Sequence, residues 1–161
     1  MILYHGSITA VENPEIRAGK THLDFGAGFY TTTSYEQAER WAQIKMRREN
    51  RQTGYVSVYS FDIETAIKNI AIKTFKSADL EWLMFVVRNR RGEPLNEAYD
   101  IYTGPVADDN IYQTIRLFEV GVFDADETVK RLKTEVLHDQ WTFSTEKALY
   151  YCNHTDTVEV K

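Results

Sequence analysis

Apolar residues along this chain fall in short runs broken by glycine and polar turns, and their spacing alternates between strand-like and helix-like periods. Ile2–His5 is a brief apolar start closed by Gly6-Ser7, the pattern of a short strand. A loop follows through Pro14, Gly19 and Asp24. Phe25-Gly26-Ala27-Gly28-Phe29-Tyr30-Thr31-Thr32 then joins a glycine turn to β-favouring residues. Ser34 with Gln37 fits a capping box, and Ala38, Trp41 and Ala42 recur on one helical face. That helix ends in the basic run Arg47–Arg51. Gly54 releases a Val- and Tyr-rich strand, Tyr55–Phe61.

The second strong helix is predicted over Ser77–Arg88. Leu80, Leu83, Met84 and Val87 form its apolar stripe, widened by Trp82, Phe85 and Val86. Tyr99–Gly104 reads as a short strand stopped by Gly104-Pro105. Asp108 or Asp109 caps a helix through Phe118, with Ile111, Ile115 and Phe118 inward and Gly121 placed to end it. Asp124–Lys133 is a further short helix with Ala125, Val129 and Leu132 inward. Val136–Phe143 is a strand whose faces carry Leu137, Asp139, Trp141 and Phe143 on one side and Val136, His138, Gln140 and Thr142 on the other. Ser144 or Thr145 caps a last helix through Tyr151. Helices and strands mix without regular βαβ alternation, which predicts an α+β fold.

Composition narrows this picture. The 161 residues are 43% hydrophobic and 27% charged, with three prolines, no repeat and no linker-like tract, so one domain over 1–161 is expected. No apolar run approaches the ~20 residues of a membrane helix, and Met1–Gly6 lacks the basic-then-apolar start of a secretory leader. The one cysteine, Cys152, allows no internal disulfide and no cysteine zinc cage. It reads as a small buried hydrophobe in a reducing cytoplasm. A net charge of −5 excludes a generic electrostatic nucleic-acid binder, leaving only local patches at Arg47–Arg51 and Arg88–Arg91. Both clusters close predicted helices, where cations also offset the helix dipole. Arg88 and Arg91 are three residues apart, so one can face a cleft while the other faces water.

Candidate chemistry lies at a few points. His5 precedes Gly6 at a strand end, where an imidazole can enter a cleft and a bare backbone can approach a ligand; it also reads as a surface histidine beside a turn. Gly26 and Gly28 read as a phosphate-cradling turn or as a β-turn or bulge; neither a P-loop nor a dinucleotide fingerprint is present. Asp108-Asp109 read as a base or metal ligand, or as carboxylates complementing a helix N-terminus. No metal-ligand spacing occurs, so no metal is expected.

The order of these motifs carries more than any one of them. Tyr4-His5-Gly6-Ser7, then Asp24–Thr32, then Ala38 and Trp41-Ala42, resembles the opening of ADP-ribosyltransferase-like proteins, and most closely the bacterial family DUF3990. Trp82, Phe85 and Asn89-Arg90-Arg91 fit as well, as do Tyr99-Asp100, Gly104–Asp109, Asp139-Gln140, Phe143 and Ala148-Leu149. The resemblance implies a split β-sandwich with peripheral helices and an NAD cleft between two small sheets. In the His-Tyr-Glu branch of that superfamily, a histidine on the first strand bonds a ribose and the next glycine offers its backbone to the carboxamide. A tyrosine after a glycine turn stacks on the nicotinamide, and a late-strand glutamate holds the ribose 2′-hydroxyl.

By position, His5, Gly6 and Tyr30 match, with Ser7, Gly28 and Thr31 as further cofactor contacts. Gln140 stands where the glutamate is expected. A glutamine can orient a hydroxyl but cannot act as a base. So Gln140 orients the ribose, or another acid such as Asp108 or Asp109 does the proton work, or NAD binds without turnover. The resemblance implies NAD-dependent mono-ADP-ribosyl transfer to a macromolecular target, protein or nucleic acid. It further implies a bacterial toxin paired with an antitoxin, with NAD as substrate, no metal and no membrane. The alternatives are an NAD glycohydrolase and an inactive NAD- or ADP-ribose-binding module. Sharing one nicotinamide riboside would require His5, Tyr30 and Gln140 to meet in one cleft.

Overall fold

The computed structural model describes residues 1–16, 22–95, 97–106, 109–133 and 138–161. It is mixed α and β, with two sheets and six helices among the described residues. The first sheet has the order β1-β3-β7, built from β1 (Ile2–Ser7), β3 (Gly54–Phe61) and β7 (Cys152–Val160), all antiparallel. The second has the order β2-β6-β5-β4, built from β2 (Phe29–Thr31), β6 (Asp139–Phe143), β5 (Ile101–Pro105) and β4 (Ile72–Thr74), with β4 parallel to β5. The sheets are joined along one edge by a bridge between Tyr4 and Thr32, whose main chains exchange hydrogen bonds of 2.8 and 3.0 Å.

Strand alternation sorts the side chains into layers. Leu3, Tyr59 and Phe61 from the first sheet meet Phe29, Ile101 and Phe143 from the second in an inter-sheet core. Its rings pack edge to face, with Phe29–Tyr59 at 5.5 Å and Phe61–Phe143 at 5.3 Å. Outside the first sheet lies α1 (Tyr35–Arg48), capped by Ser34, whose hydroxyl accepts from the Gln37 N–H. Ala38, Ala42 and Met46 pack on Val56 and Val160. Small alanines bring the helix axis close, and Gly6 is the consequence: a Cβ there would lie 1.8 Å from the Ala38 carbonyl oxygen.

The outer face of the second sheet is covered by α3 (Leu80–Arg90), α4 (Asp109–Glu119) and α5 (Ala125–Leu132). Trp82, Leu83, Ile111, Ile115 and Leu132 pack there with Tyr102 and Phe25, and the Trp82 indole donates to the Pro105 carbonyl. The predicted stripe of α3 is rotated. The helix begins at Leu80, capped by Asp79, rather than at Ser77; Leu80 and Met84 are 50% and 42% exposed, and Asn89 is buried instead. The short helices α2 (Ile63–Ala66) and α6 (Glu146–Leu149) complete the fold; Thr145 caps α6. Cys152 is buried as expected, and burial pushes its thiol up to about 12. No helix among the described residues is long and apolar enough to cross a membrane.

Candidate functional site

The segment Phe25–Thr32 is shaped by two glycines and one tyrosine. Gly26 has φ +76°, a left-handed conformation that side chains rarely adopt. Gly28 lies against β6, where a Cβ would be 2.6 Å from both the Phe143 carbonyl oxygen and the Thr142 methyl. The chain thus reaches β2 with Tyr30 held over its own turn. The Tyr30 hydroxyl donates to the Gly26 carbonyl at 2.6 Å and accepts from the Phe25 N–H at 3.2 Å. Burial drives its phenol well above the ordinary value, so it stays protonated as a donor. Tyr30→Phe leaves the Gly26 carbonyl and the Phe25 N–H without this partner. We expect a loss of about 1–2 kcal/mol in urea unfolding; a midpoint equal to wild type would show that the hydroxyl does not hold the turn.

His5 meets Tyr30 through the main chain. Its Nδ1 lies 2.6 Å from the Tyr30 carbonyl oxygen, and its ring packs on Phe29 at 4.6 Å. A carbonyl only accepts, so Nδ1 carries a proton and donates it to Tyr30. Gly6 and Ser7 continue β1, and the Gly6 carbonyl accepts from Lys45 Nζ at 2.6 Å. Thr31 is fully buried, its hydroxyl donating to the Trp141 carbonyl.

Register decides which side chains share a face. Tyr30 pairs with Thr142, and Thr142 with Tyr102; Gln140 pairs with Gly104 in the next row. Tyr30, Thr142, Tyr102 and Gln140 therefore point to the helix-covered side of the second sheet. Phe29, Thr31, Trp141 and Asp139 point the other way, toward the first sheet. His5, lying on Phe29, is on that side. The structure brings Tyr30 and Gln140 to one face and ties His5 to them only through the β2 backbone; the three side chains do not share one face. Gln140 is 2% exposed, and its Nε2 is buried with no hydrogen-bond partner among the described residues.

Neighbouring carboxylates divide their roles. Asp139 accepts from the Thr32 hydroxyl, the Thr33 N–H and hydroxyl, and the Trp141 indole, at 2.8–3.1 Å. Four donors make it the clasp between β2 and β6. Asp109 is the first residue of α4, and Asp108 lies outside the described residues. No group of three or more His, Cys, Asp and Glu side chains that could hold a metal ion occurs among the described residues.

Two residues beside the turn were not singled out for this role by the sequence. Asp24 accepts from Arg90 Nε at 2.5 Å, with side-chain exposures of 20% and 11%. Arg90 also stacks on Tyr112 at 4.6 Å, and its Nη1 is buried without a partner among the described residues. Asn89 donates to the Asp24 carbonyl. The end of α3 thus grips the glycine turn, and Arg90 is not the solvated helix-end cation its sequence position suggests.

No curated protein matches the chain. Over residues 1–154 the sequence matches the model of one family, and the chain belongs to that family, described as a protein of unknown function (DUF3990).

Proposed function

We propose that this protein transfers ADP-ribose from NAD to a macromolecular acceptor, within an ADP-ribosyltransferase-like fold. The observation that carries the reading is the buried, unpartnered amide of Gln140 on the face that also holds Tyr30. An unmade hydrogen bond at a buried donor costs about 1–3 kcal/mol, a cost that a ribose hydroxyl would relieve. His5 lies on the other face of the second sheet and reaches Tyr30 only through the β2 backbone, so the reading rests on Gln140 and Tyr30 and assigns His5 no ribose contact.

In this reaction the bond between nicotinamide and ribose C1′ breaks, and its electron pair leaves with the nicotinamide. Positive charge develops on the ribose as in glycoside cleavage, and the acceptor's nucleophile attacks C1′. Gln140 holds the 2′-hydroxyl. It cannot take the acceptor's proton, which passes to water or to a group on the target. A toxin role with a protein antitoxin belongs to the same proposal. Incubation with NAD and cell extract tests it. Nicotinamide release with ADP-ribose on a macromolecule supports transfer, release without label means hydrolysis, and binding without release means a binding module.

Gln140→Ala should slow nicotinamide release at least about tenfold, a loss of ~1.4 kcal/mol of transition-state stabilisation. Gln140→Glu keeps the shape and adds a carboxyl where the cation forms, so NAD hydrolysis should rise. Burial raises that carboxyl's pKa, so the gain should grow with pH as the charged form appears. Wild-type rates in both variants would remove Gln140 from the reaction.

A further inference from the structure

The far edge of the helix-covered sheet face holds a cavity of about 350 Å³ between β4, β5, α3 and the segment before β5. Its floor is a run of rings: Phe75 to Phe85 at 4.8 Å and Phe85 to Tyr102 at 4.9 Å, with Tyr99 edge-on to Tyr102 at 5.8 Å. Its rim carries both signs of charge, Lys73 and Arg88 against Glu81 and Glu97. At the mouth, Met84 is exposed where a surface helix would ordinarily be polar. The cross-strand row Tyr30–Thr142–Tyr102–Lys73 places this cavity three strand spacings, about 14 Å, from Tyr30. Phe25 packs between them, 5.4 Å from Phe85 and 5.8 Å from Phe75.

The charges on the rim narrow the ligand. Lys73 pairs with Glu81 at 2.5 Å, and Arg88 pairs with Glu93 at 3.6 Å, so no net positive charge is left to select an anion. The Lys73 ammonium already lies over Phe75 at 5.3 Å, which fills the place a ligand cation would take on that ring. A hydrocarbon would strip water from four charged groups without replacing its hydrogen bonds. A neutral planar ring with donors and acceptors on its edge meets both requirements: faces for the aromatic floor and an edge for the mixed rim. A volume near 350 Å³ is that of a small-ligand pocket. We propose that this cavity is a second binding site, taking a neutral nucleobase, either as a free nucleoside or presented by a short single strand.

The test uses the full chain and NMR. Adenosine, guanosine, cytidine and uridine are titrated while backbone amide shifts are followed. At least one should bind saturably, with shifts centred on Lys73, Phe85, Tyr99 and Tyr102. Tyr99→Ala should weaken binding at least tenfold, and Tyr99→Phe, which keeps the ring, should bind within twofold of wild type. Tyr30→Phe and Gln140→Ala should leave binding unchanged, which separates this site from the proposed NAD site. Stronger, salt-sensitive binding of a five-nucleotide single strand of the preferred base would assign the base to nucleic acid, and equal or weaker binding to the free nucleoside. No saturable binding, shifts centred on Tyr30 and Gln140, or equal affinity for benzyl alcohol would overturn the proposal.

Discussion

Gly6→Ala is expected to destabilise the protein by about 3 kcal/mol or more, at the upper end of overpacking costs. The added methyl would sit 1.8 Å from the Ala38 carbonyl oxygen and 2.8 Å from the Ala38 carbonyl carbon and the Ala42 nitrogen. These are main-chain atoms of α1, so no rotamer change relieves the clash; the helix must lift from β1. Lifting it loosens Ala38, Ala42 and Met46 from Val56 and Val160. For a chain of this length the loss corresponds to a melting temperature lower by about 6–12 °C, measurable by circular dichroism. A change under about 2 °C would mean that α1 tolerates the shift. The result bears on function as well. Gly6 is required by packing alone, so lost activity in this variant is no evidence for a contact with nicotinamide.

Asp24→Ala should cost about 2–3 kcal/mol, the penalty for leaving a partly buried charged donor without its partner. The largely covered Arg90 guanidinium would lose its carboxylate, with the buried Nη1 already lacking a partner among the described residues. The effect should reach the turn, since Asp24 adjoins Phe25, whose N–H bonds Tyr30. Replacing both partners, Asp24→Leu with Arg90→Met, should recover most of the loss, because the desolvation penalty goes with the charge. A urea-unfolding double-mutant cycle measures this. Additive losses would show that the pair is not coupled.

The parts of the fold legible in the sequence are those whose signals are local. Ser34, Ala38 and Ala42 announce α1 because cap and stripe lie within one segment. Gly54 and the valines of Tyr55–Phe61 announce β3 in the same way. β7 was not foreseen: Asn153, Thr155, Asp156 and Glu159 are exposed on an edge strand, and a register shift opposite Val58 and Tyr59 breaks its alternation. β4 is three residues long and takes its parallel register from β5. In α3 the pattern named the helix but turned its face, because Met84 borders the cavity while Asn89 is drawn inward to the Asp24 carbonyl. The candidate site divides likewise. Glycines punctuate the chain beside His5 and Tyr30 and made both visible. The Asp24–Arg90 pair spans 66 positions, and nothing in either neighbourhood reports the other.

The strand order has a consequence for how the molecule comes into being during synthesis. β6 lies between β2 and β5, and β7 completes the first sheet beside β3. Both are encoded after residue 138, so a growing chain that has reached α5 holds the β1–β3 pair and the outer helices but lacks the central strand of the second sheet. Tyr30 then has no Thr142 to pair with, and Gln140 does not yet exist. Pairings this distant in sequence form slowly and leave apolar strands uncovered while they wait. The face carrying Tyr30 and Gln140 is thus assembled only once the chain beyond residue 138 has been made, and a nascent fragment that stops short of it cannot carry the activity proposed for the finished protein.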